Sequence, residues 1–153
     1  MSKTRSNAFA AILWGGLLAG ILDITQAFIG FSLVGSTPFR ILQRVAAGIL
    51  GARSPEMGWI SAAVGLLCHF TVAFTAAAVY YFASRKLRVL VQHPVLCGLI
   101  YGEFVFLFMY FVVIPLSAIG PPHFNMATYI TGPIGHPLLV GLPIALCVRR
   151  YSR

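Results

Sequence analysis

Acidic residues are almost missing from this chain: three Asp and Glu stand against 11 Lys and Arg, and charged residues of both signs make up only 9%. A water-soluble domain carries about 25% charged residues, so so little charge excludes an ordinary solvated surface. Cysteine is also sparse. Cys68, Cys97 and Cys147 form neither a CxxC pair nor a Cys/His zinc spacing, and each sits within or at the end of an apolar run, as a small hydrophobe does. The chain has no Gly-x-Ser-x-Gly, HExxH, P-loop or GxGxxG in context, which removes the usual signatures of hydrolases, zinc proteases and nucleotide-binding enzymes. Three acids are too few for a conventional paired-carboxylate enzyme, and Glu56 lies at a helix edge, so the reading leans away from catalysis. Alternating polarity is absent as well, which excludes the short strands of a membrane β-barrel.

What fills the 153 residues instead is apolar side chain, 59% of the total, with a mean hydropathy of +0.88. Four runs, 8–34, 57–84, 94–117 and 128–148, are each long enough for the roughly 20 helical residues that cross a hydrocarbon core. In lipid every backbone polar group must bond within its own segment, so each run reads as a helix. The fold class expected is an all-α membrane protein, a four-helix transmembrane bundle forming a single domain over 1–153. Lys3 and Arg5 before the first run resemble a signal peptide. That run continues past Asp23 to Val34 without an Ala-x-Ala site, so it reads as a retained helix.

The connections differ in kind. Ser36-Thr37-Pro38 supplies an N-cap and a proline for the first helical position. Beyond it Ile41, Leu42, Val45 and Ile49 recur at helical spacing, with Arg40, Gln43 and Arg44 opposite. This predicts a short amphipathic helix in the membrane interface, ended by Gly51 and Ser54-Pro55. The second connection, 85–93, is short and basic. The third, 118–125, holds Gly120-Pro121-Pro122 and reads as an irregular loop.

The net charge of +8 sits in clusters between apolar runs, not in a basic patch interleaved with aromatics. It therefore reads as topology and as attraction to anionic lipid, and excludes nucleic acid as a partner. Lys3, Arg5, Arg85, Lys86, Arg88, Arg149, Arg150 and Arg153 fall on one side and Arg40, Arg44 and Arg53 on the other. The positive-inside rule then places both termini in the cytoplasm. Trp14 and Trp59 fit interfacial anchoring better than a cofactor box.

Each run also contains one ionisable residue: Asp23, His69, Glu103 and His136. A charge at bilayer depth costs about 2.5–3.5 kcal/mol on the insertion scale, so such groups face the bundle interior and find partners. At 1.5 Å per residue all four lie roughly 13–23 Å from the basic end and can meet. Asp23 lies in the small-residue stripe Gly16, Gly20, Ala27 and Gly30, with Gln26 one turn on. His69 lies in a second stripe with Ala62, Gly65, Ala73 and Ala76. His136 shares a face with Gly132. Glu103 sits about 100° around the helix from Gly102, on a face with Leu99, Phe106 and Tyr110. Pro133, Pro137 and Pro143 predict a broken fourth helix, with freed carbonyls and a small polar cavity around His136.

Three functions follow from this cluster. It can hold helices in register in an accessory or structural membrane protein with a membrane-protein partner or a second copy of itself. It can handle protons or ions. Or His69 and His136 can bind haem, or the two His and two carboxylates a metal, in a redox subunit.

From His69 onward the chain resembles the YagU-like family of bacterial inner-membrane proteins. The residues carrying this are His69-Phe70, the basic turn 85–88, Gly98 with Gly102, and Ile114-Pro115-Leu116. Pro121-Pro122-His123-Phe124, Gly135-His136 and Arg149-Arg150 follow, and Gly16 with Gly20 is similar too. The resemblance implies a helical bundle in the inner membrane and a family without an established activity. His69 and His136 match its pattern while Asp23 and Glu103 do not, which makes the histidine pair the core of the expected site.

Overall fold

The first helix, α1 (Ala8–Ser32), starts where the Asn7 side chain accepts from the Ala10 N–H at 3.1 Å. It ends in a turn through Gly35, whose φ of 85° is open to glycine at little cost. The computed structural model describes residues 7–121 and 126–152. Lys3, Arg5 and Arg153, used for topology, and Pro122, His123, Phe124 and Asn125, used for the third loop and the resemblance, lie outside the described residues.

Thr37 caps α2 (Pro38–Leu50) by accepting from the Arg40 N–H at 3.3 Å, with Pro38 in the first turn as its spacing predicts. A 3₁₀ segment, Gly51–Met57, follows between Gly51 at φ 63° and Gly58 at φ 57°. These two left-handed residues fold α2 back onto α3 (Gly58–Lys86). A one-turn helix, α4 (Val89–Gln92), occupies the basic connection. The third long helix, α5 (Pro94–Leu116), contains a π-helical turn at Met109–Val113. The last, α6, runs over residues 126–151 with a π-helical stretch at His136–Gly141.

The described residues are thus helices and connecting turns. Four stretches are long and apolar enough to cross a membrane: Ala8–Ser32, Pro38–Lys86, Pro94–Leu116 and Gly132–Tyr151. In the second, α3 alone supplies 29 residues, about 43 Å of helix.

The long helices alternate in direction. On α1, Gly15 meets Ala77 of α3 and Cys147 of α6, and Gly20 meets Ala73. On α5, Gly98 meets Ala145 of α6 and Gly102 meets His136, so numbering rises on one helix as it falls on its neighbour. The ends of α1 and α6 lie together, where the Asn7 N–H donates to the Tyr151 carbonyl at 3.0 Å. Arg85, Lys86, Arg88, Arg149 and Arg150 belong to this end, while Arg40, Arg44 and Arg53 belong to the other.

The core is made of small side chains. Ala11, Ala19, Ala77 and Ala145 are fully buried, together with Tyr80, Ile144 and Val148. Large apolar groups point outward instead: Phe9 is 75% exposed, Trp59 79% and Leu116 83%. Close backbone approach, not a thick layer of Leu and Phe, holds these helices together. The three cysteines are unpaired and partly buried.

Two expectations are corrected. The fourth helix is not broken: it continues through its prolines by widening into a π-helix. The Leu142 N–H reaches the Pro137 carbonyl, five residues back, one residue before Pro143. In α5 the Ile114 N–H likewise reaches Met109, one residue before Pro115. A proline ring collides with the carbonyl four residues earlier, and the wider turn moves that carbonyl aside. The polar side assigned to α2 is also wrong for Gln43, which is buried at 6% while Ile49 is 69% exposed.

Candidate functional site

Gly16 and Gly20 on α1 determine where the site forms. A Cβ on Gly16 would collide with the Phe74 ring, and one on Gly20 would come within 2.6 Å of the Phe70 ring. With hydrogen there instead, α1 and α3 approach closely enough for His69 Nε2 to lie 2.9 Å from the Gly20 carbonyl oxygen. A carbonyl only accepts, so this contact requires the tautomer with Nε2–H donating. The Phe70 ring stands edge-on to the imidazole at 5.4 Å.

One turn further along α1, Asp23 Oδ1 lies 3.9 Å from His136 Nε2, with both side chains about one-fifth exposed (21% and 22%). That distance is beyond hydrogen-bond reach; it is an ion-pair distance once the imidazole is protonated. His136 Nδ1 is buried and has no hydrogen-bond partner among the described residues. The Phe106 ring covers the imidazole at 5.3 Å, and the Gln26 amide lies against Gly135, where a Cβ would come within 2.6 Å of its nitrogen and oxygen.

The other side of His136 is a backbone contact. A Cβ on Gly102 of α5 would strike the His136 carbonyl and come within 2.6 Å of Pro137 Cα. Gly141 stands against the Gly98 carbonyl and the Gly102 nitrogen in the same way. The Gly98–Gly102 pair is therefore the seam on which α6 lies, and it presses the π-helical stretch toward α1.

Of the four predicted residues, Asp23 and His136 are brought face to face, and His69 joins the same stretch of α1 through Gly20. Glu103 is partly buried and makes no hydrogen bond or ion pair with a described residue. Among the described residues no three His, Cys, Asp or Glu side chains come together as a metal-ligand set.

Two polar groupings were not foreseen. The Gln43 amide lies 3.3 Å from the Pro55 carbonyl, 3.2 Å from that of Gly58 and 3.1 Å from Ser61 Oγ. Ser54 Oγ donates to the Gln43 carbonyl at 2.6 Å, so one buried side chain ties α2, the 3₁₀ turn and α3 together. Near the basic end, the Tyr101 hydroxyl donates to the Ala76 carbonyl at 2.8 Å and the Tyr80 hydroxyl to that of Leu90 at 3.0 Å. The only sequence signal for the first was a polar residue on a helix flanked by glycines. For the second it was tyrosines inside apolar runs, where a hydroxyl needs a partner.

Comparison of the chain with protein-family models, with curated proteins and with solved structures finds no match.

Proposed function

We propose that this chain is an accessory or structural protein of a bacterial inner membrane, spanning it four times, with the Asn7 and Tyr151 ends on the cytoplasmic side. The apolar exterior is what a lipid solvent accepts and water does not. The basic residues of the Asn7–Tyr151 end outnumber those at the opposite end, as the positive-inside rule requires of a cytoplasmic face. In this reading α2 lies in the opposite interface, with Arg40 and Arg44 toward headgroups, and the resemblance to YagU-like proteins is carried as part of the proposal.

The observation that carries the structural role is the use made of His69. Its Nε2 bonds the α1 backbone at Gly20, so this polar side chain holds two helices in register and is not left open to a ligand. Haem ligation through His69 Nε2 would break that bond. A proton-handling role is the second reading. It is favoured by the Asp23–His136 approach of 3.9 Å, together with a buried His136 Nδ1 that has no partner among the described residues.

The two readings separate in liposomes. Under the structural reading, purified protein gives no more pH-driven proton flux than empty vesicles. His69→Leu lowers the melting temperature in detergent by the equivalent of about 0.5–1.5 kcal/mol, one hydrogen bond. Flux above background that Asp23→Asn abolishes overturns the structural reading in favour of the second.

A further inference from the structure

We propose that the depression between the start of α5 and the end of α6 binds the headgroup of an anionic phospholipid, an inference that rests on the membrane reading above. The depression measures about 400 Å³ and is lined by Gln92, His93 and Arg149 with Val95, Leu96 and Leu99. None of the three polar side chains makes a hydrogen bond or ion pair with a described residue.

The lining changes character along one direction. His93 and Gln92 stand at the helix end. Leu99 lies five residues into α5 from Pro94, about 7–8 Å deeper. An amphiphile has the same order, phosphate outside and glycerol with acyl chains inside. Arg149 offers the phosphate a planar fork of donors, and Gln92 offers an amide for the polar groups around it.

Charge selects the anionic class. Arg85, Lys86, Arg88 and Arg150 share this end of the molecule. The described acids lie elsewhere: Asp23 and Glu103 within helices and Glu56 at the far end. A zwitterionic headgroup brings a cation of its own, and among the described residues no Asp or Glu side chain stands at this end to receive it. A net-negative headgroup meets only complementary groups.

The test uses the full chain in nanodiscs of phosphatidylcholine doped with phosphatidylglycerol of matched acyl chains, with lipid retention read by native mass spectrometry. Preferential retention of phosphatidylglycerol is expected. Arg149→Gln should reduce that preference about five-fold, the effect of one basic side chain near a charged membrane surface. His93→Gln should reduce it less, and Arg53→Gln, at the opposite end, not at all. Equal retention of the two lipids overturns the proposal, as does an equal loss in Arg53→Gln. Displacement of the retained lipid by millimolar glycerol phosphate also overturns it and reassigns the depression to a soluble phosphate compound. Alkaline carbonate extraction of cell membranes separates this from failure of the reading beneath it. If the chain stays in the membrane pellet without lipid preference, only the headgroup site is lost; if it is extracted, the membrane reading falls first.

Discussion

Glycine hydrogens occupy the places where this protein is most tightly constrained. At Gly102 and Gly141 the facing group is backbone, which cannot rotate away as a side chain can. Gly141→Ala should therefore force α5 and α6 apart and cost about 1–3 kcal/mol, the range for overpacking a filled site. Gly35→Ala, where nothing lies within 4 Å, should cost only the strain of its φ of 85°. Melting temperatures of both variants in the same detergent check this, and equal small losses would refute the role assigned to the seam. The ionisable side chains behave differently from the glycines. His69 is satisfied by a backbone oxygen, whereas Asp23 and His136 are held near each other without a hydrogen bond.

Among the helices, α2 is the element whose position depends most on single contacts. It approaches α3 closely at Gly65, where an added Cβ would strike the Leu42 carbonyl and come within 3.2 Å of the Ala46 nitrogen. Gln43 then ties it to the 3₁₀ turn, and the Ala118 N–H donates to the Gly48 carbonyl at 2.9 Å, joining it to the end of α5. Gly65→Leu should lift α2 off α3. Trypsin then cuts after Arg40 and Arg44 faster than in the parent chain, while cleavage after Arg85 keeps its rate. Unchanged cleavage at Arg40 and Arg44 would show that α2 is held by something other than this approach. The π-helical turns of α5 and α6 belong to the same level of organisation. Each ends two residues before a proline, so two prolines are accommodated inside long helices without a break.

The arrangement of the four long helices makes a prediction that no single element makes. Because they alternate in direction, the turn at 117–120 and the turn at 85–88 lie at opposite ends. With Cys68, Cys97 and Cys147 replaced by Ala, Gly120→Cys should label with an impermeant maleimide in intact spheroplasts. Arg88→Cys should label only after lysis. The reverse pattern would invert the proposed topology while leaving the bundle intact.

Most of the helical architecture was legible in the order of residues. A run of 20 or more apolar side chains can satisfy its backbone in lipid only as a helix, and Thr37-Pro38 and Gly51 mark ends through local geometry alone. The stripes holding Asp23 and His69 were legible for the same reason, because helical spacing places small residues on one face before any neighbour is known. The partners of His69 and Gln43 were not. The order of residues could not tell that His69 would bond a main-chain oxygen, that Glu103 would stand apart from Asp23, or that Gln43 would turn inward. Those outcomes depend on how far each helix is rotated and slid against the next. That rotation is set by backbone contacts such as Gly102 on His136 and Gly65 on Leu42. The prolines of α6 show the same division. Their missing N–H groups follow from composition, but a break and a π-helical widening satisfy that chemistry equally well. Packing of Gly98 and Gly102 against the widened stretch favours the second, because only a continuous helix keeps Gly141 against both.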